Sequence, residues 1–110
     1  MVRPRRGELW TIAGGGGRLT SKPRPALILQ SDLFDAGDYV TVALVTSFAV
    51  DSPVRAQLPA LEKVGLNQLS FVEVDKLTTI PHTSLSQRIG VVPPMIEVER
   101  AILVFLDIAR

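Results

Sequence analysis

The 110-residue chain has no cysteine. That removes disulfides and thiolate metal sites, and it favours a reducing, cytoplasmic setting. Its only histidine is His82, so a zinc site would have to be built from carboxylates, and no such cluster stands out in the sequence. No apolar run approaches the ~18 residues of a membrane span. The basic start Met1-Val2-Arg3-Pro4-Arg5-Arg6 is not followed by the apolar core of a signal peptide, so no membrane partner is expected. The run Gly14-Gly15-Gly16-Gly17 lacks the Gly-Lys-Ser/Thr ending of a phosphate loop and continues instead as Arg18-Leu19. Pro23 and Pro25 forbid the helix that a dinucleotide fingerprint needs. A mobile flap is the expectation for this stretch.

What the chain does have is apolar material: 46% hydrophobic residues against 21% charged. That is enough for a real core at this length, and residues 1–110 read as one domain. The net charge of +1 hides an asymmetry, +5 over residues 1–30 and −4 over residues 31–110. The basic opening is either a solvated arm or the lining of a groove for a polyanion.

Short β-rich segments recur along the chain. Glu8–Ala13 alternates as a strand, and Ala26–Gln30 is apolar on both alternating faces, as a strand buried on both sides would be. Ser31–Asp35 reads as a capped helical turn, ended by Ala36-Gly37-Asp38. Tyr39–Val45 is β-branched and aromatic-rich, and it runs into Thr46-Ser47. Val54–Leu58 is a weaker strand, Leu69–Asp75 a stronger one, and Thr78–Ile80 continues extended. His82–Ser86 suits a short helical turn and Gln87–Val91 a last strand. Pro93-Pro94 opens a helix with Val98, Ala101, Ile102, Phe105 and Ile108 on one stripe. Many short strands closed by one terminal helix predict a small, curled, mostly antiparallel sheet, a partly open barrel.

The most informative stretch is Lys22-Pro23-Arg24-Pro25, directly before an apolar strand. Each proline fixes its own φ and drives the residue before it towards extended backbone, so Lys22 and Arg24 are held stiff at a strand mouth. A guanidinium is always charged and forks onto phosphate oxygens. At the end of the next strand, Thr46 and Ser47 alternate to opposite faces, so only one of these hydroxyls enters any given groove.

Five segments in order, Arg6-Gly7-Glu8-Leu9-Trp10, Lys22 to Leu29, Val45-Thr46-Ser47, Val74 to Thr79 and Arg88-Ile89-Gly90, resemble the MazF/PemK family of toxin endoribonucleases over nearly the whole chain. The resemblance implies an SH3-like barrel of the MazF/PemK and CcdB kind and a homodimer. It implies cleavage of single-stranded RNA without metal or cofactor, and a cognate MazE-like antitoxin lying over the RNA groove. The family arginine maps onto Arg24 and the family threonine onto Thr46, with Ser47 beside it. Two departures stand out: Lys76-Leu77-Thr78-Thr79 replaces the Gln-x-Arg-Thr of many members, and the first loop is glycine where some carry Glu-Gln or His-Glu-Gln.

On this reading Arg24 clamps the phosphate and Thr46 donates a hydrogen bond to a non-bridging oxygen. Asp75 either positions groups or acts as a base, or else is a surface ion pair with Lys76. Lys76, Arg18 and Lys22 are expected to hold RNA phosphates. Trp10 either stacks an unpaired base or sits at the rim of the core. A second reading of the same barrel is a toxin that binds and inhibits a protein target such as gyrase, chiefly through its closing helix.

Overall fold

The computed structural model describes residues 3–12, 24–34, 37–47, 52–58, 66, 69–92 and 95–108. Six strands form one antiparallel sheet in the order β4-β5-β3-β2-β1-β6. They are β1 (Glu8–Ile12), β2 (Arg24–Ile28), β3 (Tyr39–Thr46), β4 (Arg55–Gln57), β5 (Phe71–Pro81) and β6 (Leu85–Val91), followed by the helix α1 (Ile96–Phe105). Two single 3-10 turns, Asp32–Phe34 and His82–Ser84, link β2 to β3 and β5 to β6. The sheet stays open, with β4 and β6 as its edges.

Period-two alternation divides the sheet's residues between two clusters. Leu9, Leu27, Ala43, Val45, Ala56, Val72 and Val74 enter a core that Val98 and Ala101 of α1 cover. These residues come from five of the six strands, so the sheet must curl around the core for them to meet. Trp10, Ala26, Ile28, Val40 and Val42 form a second cluster on the opposite face. β2 therefore is buried on both sides, as its unbroken apolar run predicts.

The strand bounds differ from the sequence reading in ways the hydrogen bonds explain. β2 begins two residues earlier, because Arg24 and Pro25 pair with Ile12 and Thr11. It also ends earlier, because the Leu29 and Gln30 N–H groups both turn onto the Thr41 carbonyl. The two extended segments at 69–75 and 78–80 are one strand, β5, carrying a bulge: Ala43 pairs with Leu77, yet Val45 pairs with Val72. Gly7, at φ +90°, accepts from Val92 N–H at 2.7 Å and donates to the Ile28 carbonyl at 2.9 Å, clasping the ends of β2 and β6. Only glycine adopts that φ without strain.

The helix is shorter than its apolar stripe. It ends at Phe105, where Asp107 turns left-handed at φ 58° and the Ile108 N–H closes back on the Leu103 carbonyl. That is a Schellman closure with aspartate where glycine is usual. Phe105 and Ile108 are 43% and 68% exposed, so only the first half of the stripe is core.

Residues 3–6 of the basic opening are not a free tail. Arg6 donates to the Leu29 carbonyl and to Glu99 of α1, both at 2.6 Å. Arg5 lies 3.6 Å from Asp32 and Arg3 reaches the Gly37 carbonyl. Arg6 thus ties the arm to α1, while Arg5 and Arg3 tie it to the connection between β2 and β3.

Candidate nucleic-acid interface

The face of the sheet away from α1 gathers most of the polar residues singled out in the sequence. Ile12 pairs with Arg24 across β1–β2, and Ala26 pairs with Leu44 across β2–β3. Carried two residues further, the same antiparallel register sets Arg24 opposite Thr46, which in turn pairs with Phe71, and Phe71 with Gln57. Alternation puts Arg24 and Thr46 on one face. Arg24 is exposed, and its guanidinium has no hydrogen-bond or ion-pair partner among the described residues. Ser47 lies one residue past the end of β3, outside the strand.

The β5 bulge holds the charged residues next to this row. Arg55, on β4, faces it and is itself mostly buried. Its Nε and Nη2 donate to the two Asp75 carboxylate oxygens at 3.0 and 3.4 Å, and its Nη1 lies 3.3 Å from Glu73. Lys76 reaches the same Glu73 oxygen at 3.3 Å. Asp75 is therefore paired with Arg55 rather than with Lys76. The Arg55 hydrogen bonds hold the Asp75 carboxyl below the usual carboxylate range against the opposing effect of burial, and the lowered pKa makes it a weaker base. Glu73, buried and doubly paired, is not available to a basic partner.

Trp10 corrects the stacking expectation. It is 9% exposed, its ring sits in the second cluster, and its indole N–H donates to Glu8 Oε1 at 3.0 Å. A ring that enclosed offers no open face to a base. Arg18 and Lys22 lie outside the described residues. Sequence reasoning passed over three polar residues on this face: Glu8, Arg55 and Arg88. A charge inside an alternating apolar strand, as in Leu9-flanked Glu8 or Ala56-flanked Arg55, was the available signal, since such a residue is either exposed or paired. No group of three His, Asp or Glu residues among those described lies together as a metal site.

Residues 5–106 match the family described as PemK-like, MazF-like toxin of type II toxin–antitoxin systems. The chain is 43% identical over 108 residues to a Mycolicibacterium smegmatis protein named probable endoribonuclease MazF, covering 96% of this chain and 98% of that one. It is 35% identical over 115 residues to a Mycobacterium tuberculosis protein named endoribonuclease MazF6, covering 98% and 100%. Among solved structures, a mycobacterial endoribonuclease in complex with its cognate antitoxin superposes with a TM-score of 0.80 at 18% identity, over 97% of this chain and 98% of that one. The Mycobacterium tuberculosis toxin MazF-mt6 superposes with a TM-score of 0.73 at 28% identity, over 89% and 96%.

Proposed function

The chain belongs to the PemK-like, MazF-like toxins of type II toxin–antitoxin systems, and we propose that it is a cytoplasmic endoribonuclease that cuts single-stranded RNA and is restrained by a cognate MazE-like antitoxin. What supports the reading is a shared face: Arg24 at the mouth of β2, exposed and without a hydrogen-bond or ion-pair partner among the described residues, and Thr46 at the end of the neighbouring β3.

In this reading the 2′-hydroxyl of the RNA gives up its proton and its oxygen attacks the adjacent phosphorus. The bond from phosphorus to the 5′-oxygen breaks, and that oxygen takes a proton. The products are a 2′,3′-cyclic phosphate and a 5′-hydroxyl. Because the nucleophile belongs to the substrate, the protein's part is to place donors on the charge that grows in the phosphorane. Placed donors usually supply the largest share of such a rate enhancement. Arg24 does this for the non-bridging oxygens, acting through charge rather than proton donation, since a guanidinium stays protonated. Thr46 adds a hydroxyl donor. Lys76, with Arg18 and Lys22, holds flanking phosphates. Asp75 acts as a positioning residue that fixes the β5 bulge through Arg55. A second copy of the chain pairs with the first through the exposed end of α1.

The test is a long RNA incubated with the purified protein in EDTA. Fragments with cyclic-phosphate and 5′-hydroxyl ends are expected, and RNA left intact in several sequence contexts would defeat the reading. Arg24→Ala should lower cleavage about a hundredfold, from a lost donor of about 3 kcal/mol, and should relieve growth inhibition. Inhibition that survives the substitution would point instead to a protein target.

A further inference from the structure

Glu8 is a carboxylate with no direct use in the reaction above, yet it is 8% exposed on the face that bears Arg24. A carboxylate out of water is costly unless its oxygens are occupied. Three donors occupy this one. The Arg5 backbone N–H reaches Oε1 at 2.7 Å and the Trp10 indole N–H reaches Oε1 at 3.0 Å. Arg88 Nη1 reaches Oε2 at 3.2 Å. The first two are fixed by β1 and its lead-in, so they set the carboxylate, and the carboxylate sets Arg88.

Arg88 is placed to use that orientation. It pairs with Trp10 across β1–β6, and Trp10 pairs with Ala26 across β1–β2. Arg24 stands two residues from Ala26 on the same face. Two strand spacings and two residue rises put the Arg24 and Arg88 backbones about 12 Å apart, a span one extended RNA strand covers. The Arg88 side chain is 56% exposed. Of the five N–H donors of a guanidinium, only one is engaged among the described residues. An ion pair this exposed adds little stability, but it removes rotamer freedom that binding would otherwise have to remove.

We propose that Arg88 is a further RNA-binding residue, gripping a backbone phosphate that flanks the one at Arg24, and that Glu8 is its positioning residue. The proposal rests on the endoribonuclease reading. The probe is a 2′-O-methyl RNA oligonucleotide spanning a cut site, which lacks the nucleophile and stays intact. Trp10, the only tryptophan, reports the network by its fluorescence because it shares Glu8 with Arg88.

Arg88→Ala should weaken binding about tenfold and make the slope of log affinity against log salt shallower by about 0.7, the value for one phosphate contact on a single strand. In cleavage assays the rise in KM should exceed any fall in kcat. Arg88→Lys should restore part of the salt slope. Glu8→Gln is the sharper test. By charge alone, removing a carboxylate tightens RNA binding, whereas loss of positioning loosens it and shifts the Trp10 emission. Unchanged affinity and salt slope in Arg88→Ala, or tighter binding by a folded Glu8→Gln, overturns the proposal. If Glu8→Gln fails to fold, the exposed Arg88 variants decide alone. Wild-type protein that cuts RNA while Arg88→Ala binds normally sinks only this inference; wild-type protein that neither binds nor cuts RNA sinks the reading beneath it as well.

Discussion

Arg24 and Asp75 entered the sequence reading together as site residues, and their surroundings separate them. Arg24 has prolines on both sides and no partner among the described side chains, so its charge is available to a ligand. Asp75 is bound through both oxygens to Arg55. Its carboxyl pKa is lowered in the folded chain, chiefly by those hydrogen bonds. The sign of the stability effect follows: a depressed carboxylate contributes stability above its unfolded pKa, near ~3.9, and loses it as pH falls through the folded value. Asp75→Asn should therefore destabilise the protein at neutral pH, and thermal melts of variant and wild type should draw together only as pH falls below about 4, through the lowered folded pKa. Its cleavage rate should fall without loss of the acid limb of the pH–rate profile. Disappearance of that limb would restore Asp75 as the base.

The stiff placing of Arg24 was legible from the local order Pro23-Arg24-Pro25, because two prolines around a cation leave the backbone little choice. Thr46 was legible up to its face, and the strand register supplied the rest. Arg55, Glu8 and Arg88 were not, because their roles rest on pairing between residues 20 or more apart in sequence: Arg55 with Asp75, Arg88 with Glu8. Alternation says that such a charge points in or out. It does not say which distant carboxylate or guanidinium meets it.

Among the elements, β5 shows how one irregularity places several groups. The sequence reads as two extended pieces, Leu69–Asp75 and Thr78–Ile80, because Lys76 and Leu77 interrupt the alternation, and the bulge spans that break. One strand runs through it, with Val72 and Val74 in the core before it and Leu77 packed against the same core after it. The displaced residues are turned to the opposite face, where Arg55 ties them down. Glu73 and Arg55 are both largely buried, so removing the cation leaves a buried carboxylate with only Lys76. Arg55→Ala should cost about 3–5 kcal/mol of stability, the range for breaking a buried pair, measured by urea unfolding. A loss below about 1 kcal/mol, the range of surface pairs, would mean the bulge is held by the backbone instead. The helix was also legible in part. Its core side followed from the stripe of Val98 and Ala101, but the stripe's end did not, because the left-handed Asp107 stops the helix before Ile108 joins it; Pro93-Pro94, read as its opening, lie outside the described residues.

The whole molecule leaves its apolar surface unevenly distributed. On β3, Val40, Val42, Ala43 and Val45 are all buried within the chain itself. The second half of α1 is different: Leu103, Val104, Phe105 and Leu106 stay exposed, with Ile108 just beyond. Leu103 and Ile102 also border an open groove of about 560 Å³ shared with Leu29, Thr41 and Leu77. A monomer rarely leaves so many large apolar side chains together in water. We infer that a second copy covers the end of α1 in a two-fold arrangement, so each substitution acts twice. Phe105→Glu takes away apolar burial and puts a carboxylate into the interface on both sides. At about 25 cal/mol per Å² of apolar surface and with two carboxylates to desolvate, the dimer Kd should rise at least about a hundredfold. Light scattering at micromolar concentration should give twice the chain mass for the wild type and the single chain mass for Phe105→Glu, with the far-ultraviolet circular dichroism unchanged per residue. A wild-type mass of one chain would overturn the two-fold pairing through α1.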